Sequence, residues 1–284
     1  MWPSLKNKMS NYRPLQAAAF NGSSNDSTWI NLGWWDGVEP LNGSGFALAN
    51  GKLASKVLNL ALTSPSSAND TVIDCGCGLG DTLHLVSSMR PKMNLIGVNF
   101  DANECQMARI KCPDASIICA DAVKFFYSIE CPSGAIVISV DAMYHFHTRS
   151  KFMQRVFETK PKVFAFSDIC QSALWESSRA GFFTRGIINL CLGFISLVAG
   201  VPRENLAVGP DGLKAQLLNA GFQMANVQVI TPHVLLPFSN HCVQRANALE
   251  SWNQTWVVLY SSGWFMYFLH WTGAVDVVLG VAYV

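Results

Sequence analysis

Charge is scarce in this chain of 284 residues. Only 14% of the side chains are charged, against about a quarter in an average soluble domain. The 20 basic and 19 acidic residues leave a net charge of +1. Nucleic-acid binding needs a basic surface to displace counterions, so no nucleic-acid partner is expected. Half of the residues are hydrophobic, which argues against a disordered chain and supplies a sizeable core.

The chain also lacks a regular pattern of metal-binding residues. Its nine cysteines contain no CxxC pair, and Cys75 and Cys77 are too close on a strand to share a metal ion comfortably. We interpret the cysteines as reduced thiols of a cytoplasmic protein, mostly buried as small hydrophobic side chains. No metal is expected, because the histidines outside the segment 145–147 are scattered: His84, His233, His241 and His270.

Signals for secretion and for membrane spanning are missing as well. The N-terminus has no apolar region of the kind that signal peptides need. The apolar stretch 186–202 is short and contains Gly193 and Gly200, and the tail 251–284 is interrupted by small residues without flanking Lys or Arg. We expect lid or core helices there. Peripheral membrane contact through 187–199 and the tail stays an open alternative.

The chain does contain an alternation of short apolar runs and helical patterns. Helices are expected at 46–62, 81–89, 103–111, 150–158 and 211–220, with further helical stretches at 180–202 and 243–271. Strands are expected at 71–74, 94–100, 115–120, 135–140, 162–166, 226–230 and 274–284. This order predicts an α/β fold, a doubly wound sheet with helices on both faces.

The turn after the first strand reads Asp-Cys-Gly-Cys-Gly-Leu-Gly-Asp over 74–81. Glycines allow a sharp turn and a close approach of backbone to ligand. A dinucleotide-binding GxGxxG motif would require glycine at position 81, where Asp81 stands, and no Lys-Ser or Lys-Thr follows as in a P-loop. Asp74 precedes the first glycine by two residues, which suits a ligand with a positive amino group and disfavours a pyrophosphate.

Four segments in order resemble the class I S-adenosylmethionine-dependent methyltransferases: VIDCGCGLGDT (72–82), LIGVNFDANECQMAR (95–109), ICADA (118–122) and ISVDAMYHF (138–146). The resemblance implies a Rossmann-like seven-stranded sheet with an antiparallel last strand. It covers a single domain over 29–284, whereas residues 1–28 are polar and rich in Asn and Ser, which predicts a flexible N-terminal arm. Within that domain we expect an apolar lid insertion at about 172–205 and a helical insertion at about 240–271.

The resemblance also implies how S-adenosylmethionine, or its product S-adenosylhomocysteine, would be held. Asp74 would bind the α-amino group, the end of the second strand the ribose hydroxyls, and Asp121 the adenine amino group. The full set of implied cofactor-binding residues is Asp74, Gly76, Cys77, Gly78, Gly80, Asn99, Phe100, Glu104, Asp121, Ala122 and Ser139. Asp121 has a simpler alternative role as a helix cap.

Asn99 departs from the family pattern, which usually has an acid in this position. An asparagine still forms hydrogen bonds with hydroxyl groups, but without charge assistance, and Asp101 or Glu104 could share the task. A subset resembling tocopherol, coclaurine and cyclopropane-fatty-acid methyltransferases also lacks the acid. The segment WINLGWW (29–35) is similar to a segment of that subset that lies over ligand and substrate.

Catalysis would consist mainly of aligning the acceptor and excluding water. If the acceptor arrives protonated, a base is needed, and Asp141 and His145 are the candidates. Their spacing resembles phosphoethanolamine methyltransferases, in which the His works with an N-terminal Tyr. Tyr12 could fill that place, although its flanking residues differ, and His147 competes with His145. A structural cap for Asp141 and a core position for His145 are the alternatives.

Aromatic residues are the candidates for an acceptor-binding wall. Trp34 and Trp35 are adjacent on a loop and cannot both face inward, so one should line the site. The predicted acceptor-binding residues are Trp34, Trp35, Tyr144, Trp175 and Phe183. The variable regions carry few cations, Arg149, Arg179 and Arg185 being the exceptions.

These features together predict a methyltransferase for a small apolar or aromatic acceptor at O, N or C. The alternatives are a catalytically inactive S-adenosylmethionine-binding accessory protein and a membrane-peripheral lipid methyltransferase. A nicotinamide oxidoreductase is disfavoured by Asp74 and Asp81.

Overall fold

The computed structural model describes residues 19–20, 28–39, 44–62, 70–128, 132–147, 149–176, 182–249 and 252–284. Its α-helices are α1 Gly45–Ala61, α2 Asp81–Met89, α3 Ala102–Lys111, α4 Ala122–Ser128, α5 Arg149–Glu158, α6 Ala173–Glu176, α7 Phe182–Ala199, α8 Pro210–Ala220, α9 Leu235–Asn247 and α10 Gln254–Thr272. Its strands are β1 Thr71–Cys75, β2 Asn94–Asn99, β3 Ser116–Cys119, β4 Ile136–Val140, β5 Val163–Gln171, β6 Met224–Val229 and β7 Val275–Tyr283. Short 3₁₀ helices cover Met143–His145, Arg203–Ala207 and Thr231–His233.

The seven strands form one sheet in the order β3-β2-β1-β4-β5-β7-β6. Neighbours pair in parallel from β3 to β5, whereas β7 runs antiparallel to both β5 and β6. This arrangement confirms the predicted Rossmann-like sheet and its antiparallel last strand. The strand order reverses between β1 and β4, the point at which such sheets bind ligands beyond their carboxyl ends.

The sheet separates two hydrophobic cores. On one face, strand residues pack with apolar side chains of α1, α2, α3 and α10, including Leu53, Leu83 and Leu259. On the other face they pack with α4, α5 and α8 through Phe125, Phe152 and Leu213. Every residue of β1 and β4 is buried, which explains why these two strands are apolar apart from Thr71, Asp74 and Ser139.

Strand β5 is longer than the sequence predicts. The apolar pattern ends at Phe166, but the strand continues to Gln171 because β7 pairs with it from Phe164 to Gln171. The added stretch includes Ser167 and Asp168, polar residues that are fully buried and have partners inside the protein. A polar residue in a strand is read from sequence as its end, so this extension could not be foreseen.

The helical regions also differ in detail from the predictions. Helix α4 was not predicted, and the stretch 243–271 is two helices, α9 and α10, the second of which begins with Asn253 accepting a bond from Trp256 N–H. Ala19 and Phe20, within the segment predicted as an arm, are helical and buried against Phe46 and Phe238. The rest of residues 1–27 lies outside the described residues.

No helix in the described part of the chain combines the length and the apolar character needed to cross a membrane.

A glycine pair tests the packing of β7 against β5. A Cβ at Gly280 would overlap the Phe166 ring opposite it, whereas a Cβ at Gly193 in α7 meets no heavy atom within 4 Å. We expect Gly280→Ala to lower the free energy of unfolding by about 1–3 kcal/mol through overpacking. Gly193→Ala should instead raise it by about 0.5–1 kcal/mol. Urea unfolding measures both, and equal effects of the two changes would contradict the packing described.

Candidate functional site

The carboxyl ends of β1, β2 and β4 bring three of the predicted polar residues to one edge of the sheet. Asp74 lies near the end of β1, Asn99 ends β2, and Asp141 directly follows β4. Asp74 pairs in register with Gly97 on β2 and with Ile138 on β4. The site is therefore centred where the strand order reverses.

The turn after β1 contains three glycines with positive φ, Gly76, Gly78 and Gly80, and the first two have different roles. Gly76 has a φ of +84°, and a Cβ there would overlap the Cβ of Ala142, so the loops after β1 and β4 touch only because this residue is glycine. Gly78 also has a positive φ, +52°, yet nothing lies within 4 Å of the position that its Cβ would occupy. The backbone at Gly78 thus borders open space.

The side chain of Asp74 is 1% exposed. Neither of its oxygens has a hydrogen-bond partner among the described residues. Burial raises the pKa of this carboxyl from 3.8 to about 7, because the ionised form is stripped of water. Buried polar groups in folded proteins are normally satisfied, so Asp74 fits a ligand that brings a cationic hydrogen-bond donor.

A second carboxylate lies at the end of β2. Asn99 Nδ2 donates a 2.7 Å hydrogen bond to Glu104 Oε2, and both residues are buried. Asp101 instead caps helix α3 by accepting the N–H groups of Asn103 and Glu104. Of the two acids considered as partners for Asn99, Glu104 is the one in contact. Phe100, the next residue after β2, is 66% exposed.

The third strand end offers Asp121 and Ala122. Asp121 Oδ1 accepts the N–H groups of Val123 and Lys124, so the residue caps the helix that follows. The alternative role as a cap is therefore present. Asp121 is also exposed and Ala122 is buried, and a contact of Asp121 with an adenine stays a prediction.

Two further predicted cofactor residues serve the scaffold. Ser139 is fully buried, and its Oγ donates a 2.8 Å hydrogen bond to the Cys75 carbonyl, joining β4 to β1. Cys77 is buried, with its thiol pKa raised well above the usual range by burial and then by the nearby Asp74. The Cys77 N–H donates to the Val98 carbonyl. Ligand contacts of both residues stay predictions.

Asp141 holds an unusual backbone conformation and binds the N-terminal segment. Its φ is +53°, in the left-handed region that aspartate tolerates better than most residues. Its N–H donates to Ser167 Oγ at 2.9 Å, and its Oδ2 accepts the Leu32 N–H at 2.8 Å. Burial raises the pKa of Asp141 to about 7, opposed by the hydrogen bonds from Leu32 and Tyr144.

Residues 28–38, here called the strap, cross the strand ends. At one point Thr28 Oγ1 donates to Asp81 Oδ2 at 2.7 Å, and Lys111 forms an ion pair with the same carboxylate. At another, Leu32 binds Asp141. Because Asp81 follows the glycine turn and Asp141 follows β4, the strap spans the switch point, where the resemblance places it.

The two tryptophans of the strap differ in burial and in their neighbours. Trp35 is buried against Phe46 and Phe238, and its indole N–H donates to the Leu32 carbonyl. Trp34 is half-buried and stacks on His233 at 4.3 Å, with Lys56 over its ring. Trp35 is therefore part of the core. Contact of either residue with an acceptor stays a prediction.

The remaining predicted catalytic and acceptor-binding residues lie in different places. Tyr144 is buried and its ring lies 4.3 Å from the half-exposed ring of His145, on the 3₁₀ helix after Asp141. His147 is exposed, and Trp175 is half-buried against the core. Tyr12 and the side chain of Phe183 lie outside the described residues.

A buried polar group that no sequence pattern predicted connects Arg149, Asp168 and Asn205. Arg149 Nη1 and Asp168 Oδ2 form an ion pair at 3.1 Å, and both side chains are almost completely buried. Asn205, also buried, accepts a hydrogen bond from Arg149 Nη2 at its backbone carbonyl oxygen. Arg149, one of the few cations of the variable regions, is therefore engaged inside the protein.

Among the described residues, no three His, Cys, Asp or Glu side chains are grouped so that they could hold a metal ion.

Solved structures of similar fold come from several enzymes. A mycolic acid cyclopropane synthase with S-adenosylhomocysteine and CTAB bound has a TM-score of 0.71 at 15% identity, over 94% of this chain and 93% of that chain. Phosphoethanolamine N-methyltransferase 2 of Haemonchus contortus, bound to S-adenosyl-L-methionine, has a TM-score of 0.61 at 14% identity, over 82% of this chain. The match covers 52% of that enzyme, so this chain spans about half its length.

A third similar structure, the [4+2]-cyclase SpnF, has a TM-score of 0.66 at 12% identity and matches 98% of this chain and 94% of that one. Neither family models nor curated protein sequences match the chain. At these identities the likeness shows the fold: the chain has the Rossmann-like fold of S-adenosylmethionine-dependent methyltransferases. The fold also carries other chemistry, so function must be argued from the site.

The burial of Asp74 predicts a pH-dependent cost to stability. Between pH 3.8 and about 7 the folded protein keeps a proton on Asp74 that the unfolded chain releases, so stability falls as pH rises through this window. Above it, the ionised carboxylate costs about 4 kcal/mol. We expect the free energy of unfolding of Asp74→Asn, compared with that of the wild type, to increase by up to this amount from pH 4 to pH 8.

Chemical unfolding at the two pH values measures this difference. Asp114→Asn, at an exposed position, is the control for loss of one carboxylate. If the free energies of unfolding of Asp74→Asn and Asp114→Asn depend on pH in the same way, the pKa of Asp74 is not raised by burial as described.

Proposed function

We propose that the chain transfers a methyl group from S-adenosylmethionine to a small, apolar or aromatic acceptor at O, N or C. The observation that carries this proposal is the buried carboxylate of Asp74, which has no hydrogen-bond partner among the described residues and lies at the switch point of the sheet. Gly78, four residues later, borders open space. The pair supports a ligand whose ammonium group meets the acid while its chain follows the turn.

The other strand ends fit the rest of that molecule. The Asn99–Glu104 pair supplies a carboxylate and an amide for two ribose hydroxyls, since carboxylates accept charge-assisted hydrogen bonds. Phe100 offers an exposed ring for a purine, and one carboxylate oxygen of Asp121 is not engaged in the cap. Bound in this way, S-adenosylmethionine supplies an electrophilic methyl group on a sulfonium.

The chain's own residues would align the acceptor and shield it. The strap, fixed at Asp81 and Asp141, covers the strand ends and limits access of water. Asp141, with a pKa near 7, and His145 are the residues that would take a proton from an O–H or N–H acceptor. Arg149 is occupied by Asp168 and Asn205, which supports an acceptor without a phosphate group.

The binding step is tested with two glycines that differ only in place. Gly78 and Gly134 both have positive φ and nothing within 4 Å of an added Cβ. Alanine at either position should therefore cost about 1–2 kcal/mol of stability through backbone strain. We expect the wild type and Gly134→Ala to be stabilised by S-adenosylhomocysteine, and Gly78→Ala to bind it roughly tenfold more weakly or worse.

Calorimetric titration with S-adenosylhomocysteine, and with NAD as the negative control, measures these affinities. Equal weakening in the two glycine variants would contradict the assigned ligand path. Binding without methyl transfer to any member of a panel of phenolic, amine and alkene acceptors would favour the alternative of a binding or accessory protein.

A membrane-peripheral lipid methyltransferase is a second candidate, favoured by one surface. Aromatic rings follow one another along α10 and the residues before it, with Trp252–Trp256 and Trp256–Tyr260 stacked at 4.6 Å. Trp252 and Trp271 are 84% and 74% exposed. We call the following set the aromatic face: Trp252, Trp256, Tyr260, Trp264, Tyr267 and Trp271.

Helix α7 contacts α10 through rings that lie outside the aromatic face. Phe194 contacts Phe265 and Phe268 on α10, and Leu190 and Leu197 on α7 are exposed. Helix α10 contains no Asp, Glu, Lys or Arg. Trp and Tyr favour the boundary between water and lipid, so this face suits the surface of a bilayer.

Co-sedimentation with phosphatidylcholine vesicles tests the second candidate. We expect the wild type to pellet with vesicles and Trp252→Ser/Trp271→Ser to stay in solution. Tyr127→Ser is the control. It removes an exposed aromatic ring on α4, outside the aromatic face, and should behave as the wild type. If the double variant pellets like the wild type, the aromatic face does not bind lipid.

A further inference from the structure

Asn205 forms hydrogen bonds with both neighbours of His145. Its Nδ2 donates hydrogen bonds of 2.8 Å to the carbonyl oxygens of Tyr144 and Phe146, the two neighbours of His145. Asn205 is buried and lies about sixty residues further along the chain, in the 3₁₀ helix Arg203–Ala207. One amide group with two N–H donors thus fixes both peptide carbonyls that flank the predicted base.

Asn205 is itself held in place. Arg149 Nη2 donates to the backbone carbonyl oxygen of Asn205 at 3.0 Å, and Arg149 Nη1 donates to Asp168 Oδ2 at 3.1 Å. The neighbour of Asp168 on β5 is Ser167, whose Oγ accepts the N–H of Asp141. Strand β5 therefore supports both predicted catalytic residues, Asp141 directly and His145 through Arg149 and Asn205.

We propose that Asn205, backed by the Arg149–Asp168 ion pair, is a positioning residue that fixes the backbone at His145 and so aims its imidazole relative to Asp141. This role rests on the proposed function for its catalytic meaning. The bonding itself favours it, because buried hydrogen bonds to carbonyls are costly to leave unmade. Asn205 follows α7 and stands at the end of the segment predicted as a lid insertion, about 172–205.

The isosteric change Asn205→Asp tests the role, since a carboxylate has the same shape but cannot donate when ionised. The readout is the imidazole signal of His145 in protein labelled with ¹³C at histidine, identified by its absence in His145→Gln. We expect Asn205→Asp to move or broaden this signal. The control is Ser239→Ala, which removes another buried bond to a backbone carbonyl, that of Gly263, and should leave it unchanged.

Asn205→Ser retains one donor and should give a displacement between those of the wild type and Asn205→Asp, which covers the case in which Asn205→Asp does not fold. A lower melting temperature with an unchanged His145 signal in Asn205→Asp, or in Asn205→Ser where only that variant folds, would overturn the positioning role.

The same samples are titrated with S-adenosylhomocysteine to separate this role from the proposed function. Retained binding in the Asn205 variants, with a changed His145 signal, supports positioning. Absence of binding in the wild type would defeat the proposed function, while the His145 spectra still decide whether Asn205 orients that residue.

Discussion

The carboxylate of Asp74 is enclosed by the protein at the point where the strand order reverses, without a hydrogen-bond partner among the described residues. Holding an ionised carboxylate in such a place costs folding free energy, and the rise of its pKa to about 7 expresses that cost. A bound ammonium group would offset it. On this basis we propose that the glycine turn, the open space at Gly78 and the overlying strap belong to one binding site.

Unlike Asp74, the surrounding acids accept hydrogen bonds from other residues of the protein. Glu104 is bound by Asn99, Asp121 caps its helix, and Asp141 accepts the Leu32 N–H. These bonds fix each strand end in one geometry, so that the ends can act together as a preformed site. The Arg149–Asp168 pair and Asn205 extend this order to the segment around His145.

The sequence predicts the sheet and the glycine turn well because both depend on local patterns. Apolar runs identify strands, and Asp74 with Gly76 and Gly78 marks the first turn. The contact between Asn99 and Glu104 could be predicted from the sequence, because the two residues are five positions apart. The hydrogen bonds of Asn205 and the second half of β5 could not be predicted. They join residues that are distant in the chain, and only the tertiary structure buries the polar ones.

The ionisation of Asp74 in the free protein and in the presence of S-adenosylhomocysteine tests the central claim most directly. Carboxyl ¹³C NMR, with Asp74→Asn to identify the signal, follows it as a function of pH. We predict a pKa near 7 in the free protein, lowered by at least one unit in the complex, because a neighbouring ammonium favours the charged form. The same pKa with and without the ligand would contradict the account.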